Sequence, residues 1–541
     1  MKTNPIDIFK EYQAAVDFKA SIGSKGLYEQ NRINERFYVG DQWYGAKCGS
    51  ERPLVRHNII KRIGEFKMAQ IMASPISVTY SADGVPYTEV QRKSVREVRK
   101  NLSSDPQYRF SGTPDSSEIN VVMSAFSDYH RATAERVRFD ALLARALKNS
   151  YISGNGVIYT YWNSEINTGL YSDGAASIKG DIDCEVLNIE NVAFADPYEE
   201  NIERQPYIIL SARKEVNSVR REAERAGIGA DAISQIVPDG DDGKVFVLTK
   251  LYKEYKASGG YKIKCVKVTK NATVREPFST GLNLYPLAIF RFEERDGRAY
   301  GESEITHLIP NQIAINRMIT ANVWGAMTMG MPMMVVNGDT VTGEITNDPG
   351  QIIKIYGSNE DVSGAVKYVT PPDFCSDFTD GVNNLIDNTL TQSGANAAAL
   401  GDSEPNNASA IVTLRNAAIM PLALSKTRFY TFVEQISRIW ADFWITQYGN
   451  RKIKVKDENG VWYLPFCSER YRGLYLTARV DVGADNSYTA NEQINTLSAL
   501  FEKGIIDRRQ FLKRLPAGAV PDISGLLGEL QEEEAEGSDS K

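Results

Sequence analysis

Cysteine and histidine are scarce in this chain, and the few present lie far apart. Cys48, Cys184, Cys265, Cys375 and Cys467 include no C-x-x-C pair and are odd in number, so they form neither a disulfide framework nor a thiolate metal site. They fit reduced, small hydrophobic side chains in a reducing compartment. His57, His130 and His307 show no ligand spacing of the H-E-x-x-H kind. No metal and no cofactor is therefore expected. The sequence also lacks an apolar run of membrane-spanning length, since the Met-rich stretch from Met327 to Val336 is cut by Gly330 and Pro332. The opening Met1-Lys2-Thr3-Asn4-Pro5-Ile6-Asp7 has no signal-peptide core. A chain made and used in the cytoplasm, away from membranes, is the expectation.

Catalytic signatures are missing as well. No G-x-x-x-x-G-K-[ST] loop is present to cradle phosphates, which excludes a P-loop ATPase. Gly154-Asn155-Gly156 lies between a helical run and the strand-like Val157 to Trp162, the reverse of a phosphate loop, and reads as a helix stop and strand entry. Asp239-Gly240-Asp241-Asp242-Gly243 has the look of a calcium loop, but Lys250 stands where the twelfth position needs Glu. Asp181 and Asp183 alternate on a strand and are expected on a solvated face. Covalent catalysis is not expected from this sequence.

A basic surface is absent too: the net charge is −7 and the isoelectric point about 5.4, so phosphates would not be gripped through positive charge. Between Lys367 and Arg415 there is no Lys or Arg, whereas Asp373, Asp377, Asp380, Asp387, Asp402 and Glu404 all fall there. Asp377, Asp380 and Asp387 share one face of the helix predicted for that stretch.

What the chain does have is a distinctive order of elements from Tyr300 to Tyr448. A helix is predicted from Tyr300-Gly301-Glu302-Ser303 to Met329, with Pro310 placed in its first turn and Gly330 and Pro332 ending it. Between Ile305 and Met331 its only formal charge besides His307 is Arg317, so it is expected to be covered on most sides. Ala314, Ala321, Gly325 and Ala326 would let neighbours come close. Strand-like runs follow, Met334-Val335-Val336, Gln351 to Tyr356 and Val366 to Val369, broken by Asn337-Gly338-Asp339 and Asp348-Pro349-Gly350. After Pro371-Pro372 a second helix begins near Asp373 and carries Phe378, Val382, Leu385, Ile386 and Leu390 at helical spacing. The Gly, Asn and small residues from Ser393 to Ser409 read as an exposed loop. A long helix then runs from Ile411 through Leu414, Ala418, Leu422, Phe429, Val433, Ile436, Trp440 and Trp444 to Tyr448, with a bend expected at Pro421.

In this order the chain resembles the portal proteins of tailed double-stranded DNA bacteriophages, over almost its whole length. Other blocks are similar to the family's pattern: Asn34-Glu35-Arg36-Phe37-Tyr38-Val39-Gly40-Asp41-Gln42-Trp43, then Arg52-Pro53-Leu54-Val55-Arg56-His57-Asn58-Ile59-Ile60, Met72-Ala73-Ser74-Pro75-Ile76, and Asn191-Val192-Ala193-Phe194-Ala195-Asp196-Pro197-Tyr198. The resemblance implies an α+β, portal-like fold. Its parts are a wing (1–299), a first stem helix (300–331), a strand-containing clip (332–372), a second stem helix (373–393) and a tunnel loop (394–408). A long kinked spine helix with wing strands (409–486), a helical crown (487–530) and a disordered acidic tail (531–541) complete it.

The same resemblance implies a homo-oligomeric ring of about a dozen copies at one vertex of the virion capsid, assembled in the host cytoplasm. Its partners would be the terminase motor, head-completion or adaptor proteins, and the major capsid and scaffold proteins. Double-stranded DNA would pass through the channel during packaging and ejection without sequence recognition. Repeated around an axis, Asp373, Asp377, Asp380, Asp387, Asn396, Asp402 and Glu404 would line that channel and repel phosphates. Gln312, Asn316, Arg317, Ala321 and Gly325 of the first stem helix would face neighbouring subunits. The competing readings are a DNA-processing enzyme and a capsid shell or scaffold protein.

In the wing, helices are expected from Pro5 to Val39, from Ile119 to Ser150 and from Arg213 to Gly227, with strands Lys244 to Tyr255 and Tyr261 to Thr269 joined at Ser258-Gly259-Gly260. Ser103 to Ser117 reads as a mobile loop. A hairpin is expected around Asp457-Glu458-Asn459-Gly460, a strand over Leu474 to Val482, and helices over Thr489 to Lys503 and Asp507 to Leu515.

Overall fold

The computed structural model describes residues 4–43, 53–73, 76–82, 116–171, 177–257, 259–329, 333–336, 341, 366–369, 375–395, 420–457, 460–471, 476–482 and 487–515. Helices in chain order are α1 (Pro5–Ser21), α2 (Gly26–Val39), α3 (Ile59–Ile71), α4 (Ser116–Val137), α5 (Phe139–Ser153), α6 (Val216–Arg225), α7 (Ala230–Ser234), α8 (Glu304–Met329), α9 (Cys375–Gln392), α10 (Ala423–Gln447), α11 (Ser468–Tyr471), α12 (Ser487–Glu502) and α13 (Arg508–Arg514). Strands are β1 (Ile76–Ala82), β2 (Asn155–Tyr171), β3 (Ser177–Leu187), β4 (Val192–Phe194), β5 (Tyr207–Glu215), β6 (Lys244–Tyr255), β7 (Tyr261–Thr269), β8 (Thr273–Ser279), β9 (Leu287–Arg291), β10 (Met333–Val336), β11 (Val366–Val369), β12 (Asn450–Asp457), β13 (Gly460–Cys467) and β14 (Leu476–Val482). The mixture is that of an α+β chain.

The first half is built on an antiparallel sheet in the order β4-β5-β6-β7-β8. Successive residues of β6 point to opposite faces, as a pleated strand requires. Val245 and Val247 pack with Val216, Val219 and Ala223 of α6, while Phe246 and Leu248 pack with Ile8 and Tyr12 of α1. The hairpin β6–β7 forms as the sequence predicts, with Tyr255 opposite Tyr261 and left-handed backbone at Gly259 and Gly260. A second sheet, β3-β2-β9, lies beside α10. Here the main core forms around Trp440 and Trp444, with Phe126, Tyr80, Phe139 and Phe290. Tyr80 bridges three elements: its hydroxyl lies 2.9 Å from Nδ1 of His130 and donates to the Ser437 carbonyl at 3.1 Å. β1 pairs with β14 from Ile76↔Val482 to Ala82↔Leu476, which joins distant parts of the chain.

Several boundaries differ from expectation. The stretch from Pro5 to Val39 is two helices, because Gly23 and Gly26 take left-handed backbone at φ 67° and 76°. The run from Ile119 to Ser150 is also two helices, parted at Arg138 with φ 53°. Residues 213–215, expected to begin a helix, instead end β5: Arg213 pairs with Phe246 and Glu215 with Lys244, so sheet pairing overrides local preference. Pro421 lies in a 3₁₀ turn, Met420–Leu422, that leads into α10; the part of the expected helix before it, residues 411–419, lies outside the described residues. Asp181 and Asp183 are partnered and not simply solvated: Asp181 pairs with Arg136 at 3.3 Å, and Asp183 accepts from Tyr161 at 3.3 Å and Asn163 at 3.2 Å. The expected loop over 103–115, the run 351–356, most of the Gly/Asn loop, residues 409–419 and the acidic tail lie outside the described residues.

Candidate functional site

The functional expectations converge on α8, α9 and the strand pair between them. α8 runs for 26 residues, a rod of about 39 Å. Ser303 opens it, its hydroxyl donating to the Tyr151 carbonyl at 2.6 Å and accepting from Ile305 N at 3.2 Å. Pro310 was expected in the first turn. It lies in the second, because the helix begins at Glu304 and not later, and its ring is exposed.

The root of α8 is clasped where α5 hands over to β2. Gly154 ends α5 in left-handed backbone and β2 starts at Asn155, so the Gly-Asn-Gly motif is the helix stop and strand entry expected of it. The Asn155 side chain brackets the Gly301 peptide, accepting from its N–H at 2.8 Å and donating to its carbonyl at 3.3 Å. Asn34 of α2 adds a donor to both the Ile152 carbonyl (3.0 Å) and Thr306 Oγ1 (3.2 Å). Lys67 of α3 makes a buried ion pair with Glu304, whose carboxyl is raised above its ordinary range by burial while Lys67 pulls it back.

About two turns further on, two amides lock α8 to the N-terminal segments. Gln312 Oε1 accepts from the backbone N–H groups of Ile59 (3.0 Å) and Ile60 (3.3 Å), two of the donors that the start of α3 leaves without intrahelical acceptors. Its Nε2 donates to the His57 carbonyl at 2.6 Å and to Asn316 Oδ1 at 3.0 Å. Asn316 accepts from His57 N at 3.0 Å and donates to Gln42 Oε1 at 2.6 Å. Thr320 Oγ1 then accepts from Val55 N at 3.2 Å. Thus the blocks around Asn34 to Trp43 and Val55 to Ile60 hold the helix.

This corrects two expectations. Gln312 and Asn316 are 1% and 2% exposed and have their hydrogen bonds met within the chain, so they are not placed to touch a neighbouring copy. A helix poor in charge had pointed to contacts between subunits; at its root the cover is intramolecular. Arg317 and Ala321 are exposed, and Gly325 is half-buried with nothing within 4 Å of where a Cβ would stand.

α9 returns antiparallel to α8. Asn311 donates to Thr389 at 3.3 Å, Met318 lies against Gly381, and Asn322 donates to Thr379 at 3.1 Å, so residue numbers rise along one helix as they fall along the other. β10 and β11 pair antiparallel, from Met333↔Val369 to Val336↔Val366, in the insert that joins the two helices. On α9, Val382, Thr389 and Leu390 are buried, while Asp380, Asn383, Asn384, Asp387, Asn388 and Thr391 form one exposed face at helical spacing. Asp377 belongs to α9, whereas Asp373, Asn396, Asp402 and Glu404 lie outside the described residues.

The intramolecular clamp was the feature that sequence reading missed. Its signal was present as Gln312 and Asn316, two amides at an i, i+4 spacing in a helix otherwise almost free of polar charge. Among the described residues no helix is long and apolar enough to cross a membrane. Compared with known protein families and with curated proteins, the sequence matches none.

Proposed function

We propose that this chain is a portal protein of a tailed double-stranded DNA bacteriophage, a ring-forming conduit at one capsid vertex. The observation that carries this reading is the antiparallel pairing of α8 and α9, joined through a segment that holds the strand pair β10–β11, with the long helix α10 further along the chain. An antiparallel helix pair rooted in a mixed α/β body, with a strand pair in the segment that joins the two helices, is the arrangement a stem and clip require. The cation-free stretch between Lys367 and Arg415 supports a passage for DNA, because a wall without positive charge releases no counterions from phosphates and does not hold them.

In this reading the protein acts by assembly and geometry, and the terminase, adaptor, capsid and scaffold proteins are its partners. Electron microscopy of the purified protein tests it. Closed rings with a central hole are expected. Monomers alone over a broad concentration range, including with scaffold protein co-expressed, would overturn it. Nuclease or ATPase turnover by pure protein would favour the enzyme reading instead.

A further inference from the structure

The exposed side of α8 carries a feature that its own subunit does not use. Gly325 sits inside the helix, where glycine is less favourable than alanine. Yet an added Cβ there would meet nothing within 4 Å. Arg317, Ala321 and Gly325 recur at spacings of four, so they share one stripe of the helix.

Arg317 also borders a groove of about 420 Å³ between α2 and α8, together with Lys25, Glu29, Arg32, Arg36 and Asp41. Arg32 pairs with Glu29 at 3.5 Å and Arg36 with Asp41 at 3.9 Å. Lys25 and Arg317 form no ion pair among the described residues, which leaves the groove with surplus positive charge. The opposite holds on α9, where Asp380 and Asp387 stand on an exposed face with amides and a hydroxyl and no cation.

The register of the hairpin places these features at one height. Met318 lies against Gly381 and Asn311 bonds to Thr389, so Arg317 stands abreast of the stretch between Asp380 and Asp387. Rotation about an axis along the hairpin keeps heights unchanged. A contact repeated by that rotation joins two different faces of neighbouring copies and closes into a ring.

We propose that the acidic face of α9 in one copy seats against the Arg317–Ala321–Gly325 stripe and the cationic groove of the next copy, with Arg317 between the neighbour's Asp380 and Asp387. This rests on the ring reading above and names the contact that builds the ring. It places Asp380 and Asp387 at the seam between copies and not on the open channel wall. The small residues let the helices approach, and the charges fix their relative height.

Charge exchange tests it, read by native mass spectrometry and sedimentation of the full chain. Arg317→Asp, and separately Asp380→Arg with Asp387→Arg, should each weaken ring formation roughly tenfold or more at low salt, with less effect at high salt. The triple variant carrying all three changes should regain rings. Gly325→Leu should also block assembly, while the melting temperature of the separated subunits is not lowered, because the position is open in the subunit and leucine is the better helix former. Wild-type rings accompanied by variants that assemble equally well would overturn this seating and leave the ring reading standing. A wild-type protein that never forms rings would overturn the ring reading itself.

Discussion

Gly154 and Gly301 meet backbone to backbone: a Cβ on Gly154 would lie 2.6 Å from the Gly301 carbonyl oxygen, and one on Gly301 would lie 2.7 Å from the Gly154 carbonyl oxygen. Neither neighbour is a flexible side chain, so nothing nearby can yield cheaply. Gly154 is also left-handed at φ 80°. Gly301→Ala should therefore lower stability by about 1–3 kcal/mol through overpacking, and Gly154→Ala by at least as much. Gly325→Ala, in open space, should be neutral or raise stability by roughly 0.5–1 kcal/mol. Urea unfolding of the three variants checks the order; a harmless Gly301→Ala would mean that the clasp is loose.

Gln312→Ala removes the acceptor for Ile59 and Ile60 N–H and the donor to His57 at a site closed to water. Leaving such groups unpaired costs on the order of 2–3 kcal/mol in total. Arg317→Ala, one turn away and exposed, should change subunit stability by no more than about 0.5 kcal/mol. Thermal melts of the two variants under conditions where the protein is monomeric separate them. Equal effects would argue against the clamp.

Glu203 supplies a pH prediction. Burial pushes its carboxyl up from about 4.5 to about 7, although the Tyr285 N–H and Lys253 pull it down, and the nearby Asp442 adds a further upward push. Since the folded value is the higher one, this group's contribution is fully present below its unfolded value, about 4.5, and is lost as pH rises through about 7. Wild-type protein should lose stability between about pH 5 and 8. Glu203→Gln, which keeps an acceptor for Tyr285 N–H without the charge, should show a flatter profile and be the more stable of the two at the upper end. Melting curves across that range decide, and parallel profiles would refute it.

The strand insert yields a prediction tied to the proposed function. Replacing the residues from Met334 to Val369 with a short Gly/Ser linker should leave a folded, soluble subunit, because α8 is rooted by α2, α3 and the α5–β2 junction and not by β10–β11. Circular dichroism and melting report folding, and a packaging assay reports loss of partner docking. An insoluble deletion would place the insert in the core of the fold.

Local chemistry made part of this structure legible in the sequence. The β6–β7 turn followed from two adjacent glycines, and α8 and α9 followed from apolar spacing and from the stops around Pro332 and Pro371. The break at Arg138 carries no compositional sign, since an arginine in left-handed backbone is held by its surroundings. Arg213 to Glu215 look helical and become strand because β6 lies alongside. For Gln312 the residue type was visible, but its partners stand at Ile59 and Ile60, and no periodicity within α8 specifies a bond across that separation. Hence the sequence led to the right helix with the wrong neighbour for its root.

The position of that clamp makes the helix pair a cantilever. It is fixed at Gln312, Asn316 and Thr320, and α8 continues from there to Met329 as a lever arm of roughly 14 Å at helical rise. A sideways load applied at β10–β11 is thus delivered as torque to hydrogen bonds shared with α3 and with the segment ending at His57. Force at the tip and strain in the N-terminal segments are mechanically one quantity.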